Sequence, residues 1–168
     1  MVSLCVMIKQ LFENLLIVIN GSDASIHAVQ YAIIMAKQYR CNLKAVYVVD
    51  IATIRQLTLQ KIFVHDESKE YESSLEPDGI RYLRYVEELG KAKGVTIQTE
   101  LRKGAVWAEV ITAANEMKAN VILLGGSENN DPFQKEIISS SYGEIILHAN
   151  CSVLLVREKL IEQLYKIS

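Results

Sequence analysis

LLIVINGSDASIHAVQYAIIMAKQYRCNLKAVYVVD, residues 15–50, holds a complete strand–helix–strand unit. LLIVIN (15–20) and LKAVYVVD (43–50) are short, rich in β-branched residues and almost continuously apolar, as strands covered on both faces are. Between them Ile26, Val29, Ile33 and Ala36 recur at helical spacing over residues 24–40, after Ser22 and Asp23 as candidate N-caps. Two such strands joined by a helix of this length read as a right-handed crossover in a parallel sheet.

The same rhythm continues outward. VILLGG (121–126) and SVLLVRE (152–158) are two further buried-type strands. VTIQTELR (95–102) alternates Val95, Ile97, Thr99 and Leu101 against polar neighbours, which predicts a strand with one wetter face at a sheet edge. A helix is expected over 77–93, with Pro77 in its first turn, Ile80, Leu83, Val86 and Leu89 as its stripe and Gly94 as its stop. Others are expected over 106–119 (Val106, Val110, Ile111, Ala114, Met117) and about 139–149 (Tyr142, Ile145, Ile146, Ala149). Residues 51–64 read as a short helix beside the sheet, and 65–76 as a solvated loop or the approach to the next helix. The tail, 159–168, places Leu160, Ile161, Leu164 and Ile167 at helical spacing, for docking or for an oligomer contact. The expected architecture is one α/β domain: an open five-stranded parallel sheet with helices on both faces, spanning 14–158 between an extension (1–13) and the tail.

Composition narrows the function. In 168 residues, half are hydrophobic and 23% are charged, so a real core forms and disorder is not expected. A net charge of −2 without a basic run argues against nucleic-acid binding through phosphates. Cys5, Cys41 and Cys151 fit neither a disulfide framework nor a CxxC pair and read as free thiols in a reducing cytosol. The apolar N-terminus is interrupted by Lys9, Gln10, Glu13 and Asn14, so no membrane span or signal core is expected, and the protein is placed in the cytoplasm.

Ligands of open parallel sheets bind beyond the carboxyl ends of the strands, where the strand order reverses. NGSDAS (20–25) follows the first strand there. GGSENNDPFQKEIISSSYG (125–143) follows the fourth. Gly125 and Gly126 allow a sharp turn and close approach of backbone to a ligand, and Ser139, Ser140 and Ser141 lie at a helix start, where free N–H groups attract anions. The same serines and glycines also serve as a plain N-cap and chain turn. On residue chemistry both readings stand.

With IVINGSDASIHAVQYAIIMA at its opening and ILHANCSVLLVRE at its close, the chain resembles the universal stress protein family over residues 14–157. His148, Ala149, Cys151 and Val153, followed by Leu154, Leu155, Val156 and Arg157, carry the likeness at the close. The resemblance implies a Rossmann-like sheet of the adenine nucleotide alpha hydrolase type with strand order 3-2-1-4-5. It implies a homodimer joined through the last strand, Ser152–Glu158. It implies a stress-response binding or signalling module that takes ATP or AMP weakly or conditionally, with Mg²⁺ entering only with ATP. Nucleotide-binding members resemble one another in a G-x2-G-x9-G-(S/T) loop. From Gly126 this chain reads G-x2-Asn129-x9-Ser139-Ser140, with the spacing kept and two glycines replaced. The usual aspartate of the family's D-G-S opening is Asn20 here, followed by Gly21, and Val48 would offer backbone to an adenine. The implied ligand residues are thus Asn20, Gly21, Val48, Gly125, Gly126, Asn129, Ser139, Ser140 and Ser141.

Other readings are set beside this one. A universal-stress-type dimer without a nucleotide is the alternative. NGSDAS also resembles, with displaced residues, the SGGxDS loop of ATP pyrophosphatases. His27, His65 and His148 lack metal-ligand spacing, and His148, late in its helix, reads as a cap. Asp66, Glu67, Glu70 and Glu72 read as a solvated face, and Trp107 as a packing residue. No catalytic motif is found, and neither catalytic residues nor a metal site are expected.

Overall fold

A computed structural model describes residues 9–61, 65–126 and 141–168. In chain order the elements are β1 (Asn14–Ile19), α1 (Asp23–Tyr39), β2 (Asn42–Asp50), α2 (Ile51–Leu59), α3 (His65–Lys91), β3 (Ile97–Gly104), α4 (Val106–Met117), β4 (Val121–Gly125), α5 (141–148), β5 (Ser152–Val156) and α6 (Ile161–Ile167). Five strands form one sheet in the order β3-β2-β1-β4-β5, and every pairing is parallel.

β1 explains why its sequence lacks alternation. Leu15, Ile17 and Ile19 enter one cluster with Val29 and Ile33 of α1 and Leu83 and Val86 of α3. Leu16 and Val18 enter the other with Val110 and Ala113 of α4 and Ile145 of α5. Both faces are covered, so successive residues are all apolar. Burying each such side chain stabilises the fold by about 1.5–3 kcal/mol before entropy is counted.

Two expectations are corrected in α3. The helix does not begin at Pro77; it runs back to His65, with Pro77 in its interior. Proline removes the hydrogen bond to the carbonyl four residues earlier, and here that residue, Ser73, and Pro77 itself are both exposed, so water can serve the orphaned carbonyl. The 65–76 stretch is therefore helix rather than loop, and Asp66, Glu67 and Glu70 lie on its exposed side. Ile80 is not a core residue: it is 46% exposed, while Leu83 and Val86 carry the buried stripe. Residues 51–59 are helical as expected, anchored by Ile54 and capped by Asp50, whose Oδ1 accepts the Thr53 amide at 3.0 Å.

The tail docks. Ile161 and Tyr165 of α6 are buried, and the Tyr165 hydroxyl donates to the Leu89 carbonyl of α3 at 2.7 Å. His27 Nε2 lies 3.0 Å from Glu162, and Lys37 Nζ donates to the Ser168 carbonyl at 2.7 Å, which ties α6 to α1.

On the edge strand β3, Glu100 and Arg102 organise a charge cluster against α4. Lys44 and Arg102 lie 2.6 and 2.9 Å from the Glu100 carboxylate, and Arg102 also meets Glu109 and Glu116. Burial pushes the Glu100 carboxyl up, but the two cations beside it outweigh that and hold it below the ordinary glutamate range. A carboxyl lowered on folding contributes stability above its unfolded pKa, and the contribution fades as pH falls through the folded value. Wild-type stability should thus fall more steeply than that of E100Q as pH drops from about 5 toward 3. At pH 7, E100Q should be less stable by about 1 kcal/mol, because the cluster is partly open to water. Urea midpoints across pH measure both, and parallel pH curves for the two proteins would contradict the assignment.

Candidate functional site

β1 and β4 are neighbours, yet α1 leaves β1 toward one face and α5 leaves β4 toward the other. The strand order reverses between them, so their carboxyl ends mark the place where such sheets hold ligands. Asn20 continues the even-numbered series Leu16, Val18 past the end of β1, toward the α4–α5 face.

The Asn20 side chain is fully engaged on one side. Its Oδ1 accepts the Ser22 amide at 3.0 Å and the Ser22 hydroxyl at 2.6 Å. Ser22 Oγ in turn accepts the Ser25 amide at 3.2 Å, so Ser22 caps α1, as its position suggested. On its other side, Asn20 Nδ2 donates to the Tyr142 hydroxyl of α5 at 3.3 Å. Sequence reading had Tyr142 only as part of a helical stripe. The signal available for more was a single polar atom on an otherwise apolar face. Burial raises its phenol above the ordinary tyrosine value.

Gly21 bends the chain with φ +80, a conformation that disfavours side chains, and the ring of Tyr82 from α3 fills the space beside it. Tyr82 stacks on Tyr47 with ring centroids 6.3 Å apart. Val48 and Tyr142 both pack on the α4–α5 cluster, so one of the implied positions, Val48, shares a face with Asn20 and Tyr142.

The two glycines after β4 have a structural use. A Cβ on Gly125 would lie 2.2 Å from the Ala24 carbonyl oxygen, so its smallness admits the first turn of α1. A Cβ on Gly126 would meet the Arg157 methylenes at 2.6 Å, and the Gly126 amide donates to Val156 at 2.8 Å. The close approach seen at both is to the chain itself. Ser141 opens α5. Asn129, Ser139 and Ser140 lie outside the described residues. Of the implied set, the structure therefore brings together Asn20, Gly21, Gly125 and Gly126, with Val48 on the adjoining strand.

Elsewhere, His148 Nδ1 donates to the Glu144 carbonyl at 2.9 Å, one turn back in its own helix, and its ring stacks on Trp107 at 4.7 Å. Cys41 and Cys151 are free thiols. Among the described residues no cluster of His, Cys, Asp or Glu could hold a metal ion, and no helix is long and apolar enough to cross a membrane.

Comparison with known proteins fits this geometry. The model of the universal stress protein family matches residues 11–157. Universal stress protein MJ0531 of Methanocaldococcus jannaschii is 27% identical over 150 residues, covering 89% of this chain and 85% of that protein. Universal stress protein UspA from Lactobacillus plantarum superposes with a TM-score of 0.70 at 20% identity, covering 89% of this chain and all of that one. A universal stress protein from Archaeoglobus fulgidus, solved in complex with dAMP, superposes at 0.60 with 13% identity, covering 88% of this chain and 100% of its own. At these identities the superpositions establish the fold.

Gly125 and Gly143 make opposite predictions. G125A should cost about 1–3 kcal/mol, because the intruding methyl meets backbone that cannot rotate away. G143A should stabilise by about 0.5–1 kcal/mol, since Gly143 lies within α5 with open space around it. Thermal and urea unfolding read both, and an unchanged midpoint for G125A would overturn the packing account.

Proposed function

This chain belongs to the universal stress protein family, and from that premise we propose that it is a cytoplasmic, non-catalytic binding module that takes an adenine nucleotide at the carboxyl ends of β1 and β4. The observation that carries the reading is the Asn20–Gly21–Ser22 turn at the reversal of strand order, facing Tyr142 across it. The dAMP bound by the structural neighbour from Archaeoglobus fulgidus supports the ligand class. Residues 127–140, between Gly126 and Ser141, would receive the phosphates, and Val48 on the neighbouring strand would border the base. Asp23, exposed in the first turn of α1, disfavours a phosphate at that helix, so the phosphates belong on the side of α5.

The residues that fit the nucleotide are polar and few, which accords with binding that is weak or conditional. Calorimetric titration with AMP, and with ATP and Mg²⁺, tests the reading directly. Binding that weakens in N20A is the expected result; no heat at millimolar ligand would sink it.

A homodimer through β5 is part of the same proposal. β5 ends the sheet with its outer edge unpaired among the described residues, and Leu155 on that strand is 45% exposed. Exposed apolar edges are normally covered, and a second copy of the strand covers this one by continuing the sheet. Light scattering at micromolar protein should give twice the chain mass, and L155K should shift the mass toward that of one chain. A wild-type monomer at that concentration would refute the pairing.

A further inference from the structure

Hydrogen-bond direction at Asn20 has a consequence for what the crevice can recognise. Asn20 Oδ1 already accepts two bonds, from the Ser22 amide at 3.0 Å and the Ser22 hydroxyl at 2.6 Å. The backbone donor fixes which end of the amide is oxygen, because an amide nitrogen could not accept it. Nδ2 therefore faces Tyr142, and a nitrogen donor makes the phenolic oxygen the acceptor. The phenolic proton is left over, and it finds no acceptor among the described residues. The chain of bonds runs Ser25 amide to Ser22 hydroxyl to Asn20 carbonyl, then Asn20 amide to Tyr142, and among the described residues it terminates in a donor without an acceptor.

We infer that Tyr142, rather than Asn20, makes the polar contact that selects the ligand, by donating its phenolic proton to an acceptor atom of the bound nucleotide. The inference rests on the nucleotide reading above and adds its specificity. An aspartate at position 20 would behave differently: as an acceptor alone it would take the Tyr142 proton for itself. Asparagine holds the hydroxyl from its oxygen side and keeps the proton available. With the Asn20 oxygen consumed by Ser22, the Asn20–Tyr142 pair offers donors and no free amide acceptor. It thus favours phosphate oxygens or purine ring nitrogens over ligand hydroxyls.

The test is titration of wild type, Y142F and N20D with AMP and with adenosine. Y142F keeps the ring and its packing and removes only the hydroxyl. N20D keeps the shape of residue 20 and reverses the bond. Both should weaken AMP binding about fivefold or more, as the loss of one hydrogen bond implies. Weakening confined to AMP assigns the acceptor to the phosphate, and equal weakening for adenosine assigns it to the nucleoside; either supports the inference. Melting curves of Y142F should stay within a few degrees of wild type, which separates the effect from unfolding. AMP bound by wild type and equally well or better by Y142F would overturn the inference while leaving the nucleotide reading intact. No AMP binding by any of the three proteins would remove the nucleotide reading and this inference together.

Discussion

Everything in this fold hangs on the two-sided burial of β1. Leu15, Leu16, Ile17, Val18 and Ile19 are each no more than 2% exposed, and alternate residues serve opposite clusters. A strand so placed leaves no freedom of register, since a slip by one residue would exchange the two sets of partners. It also pins the neighbours on either side, β2 through six register pairs and β4 through three. The turn that follows, Asn20–Gly21–Ser22, is thereby delivered to a fixed point. A recognition group on the end of such a strand is positioned by the core itself rather than by a loop.

The two edges of the sheet are treated differently, and the difference bears on assembly. β3 carries Glu100 and Arg102, tied by ion pairs to Lys44 and α4, and its Lys103 pairs with Glu76 of α3 at 2.7 Å. Charges of this kind discourage another strand from adding to an edge. β5 has the opposite character, with Val153, Leu154 and Leu155 in sequence and only Ser152 as a polar residue. The asymmetry accords with the pairing proposed above, through β5 alone.

Legibility in the sequence followed the strength of the physical signal. Strands buried on both faces leave long apolar runs, so β1, β2, β4 and β5 could be placed within a residue or two, and β3 was recognisable by its wetter alternation. Pro77 misled because its usual place is a first turn, whereas exposed backbone at Ser73 makes an interior proline tolerable. Ile80 misled because helical spacing marks a stripe without saying how far around the helix the core reaches. At the end of the sheet, the turn at Asn20 and Gly21 and the glycine at 125 were all legible as chain turns, but what Gly125 must be small for was not. Its need for smallness comes from the Ala24 backbone, a hundred residues away, and no local pattern encodes that approach. Tyr142 was hidden for the same reason: its hydroxyl acquires meaning only when α5 is laid beside the end of β1.

The replacement of aspartate by asparagine at position 20 looks, in sequence, like the loss of a function. Within the structure it is an exchange of hydrogen-bonding roles. A carboxylate beside Ser22 would have lone pairs to spare, and any hydroxyl near it would turn its proton inward. The amide has no such surplus once Ser22 is served, and its nitrogen must find an acceptor instead. Tyr142 is that acceptor, and half-burial of its ring keeps the hydroxyl at the crevice while favouring the neutral phenol. One residue at the end of β1 thus sets the direction of bonding for another on α5. Position 20 and position 142 form a pair, and a change at either alters the direction of the bond between them.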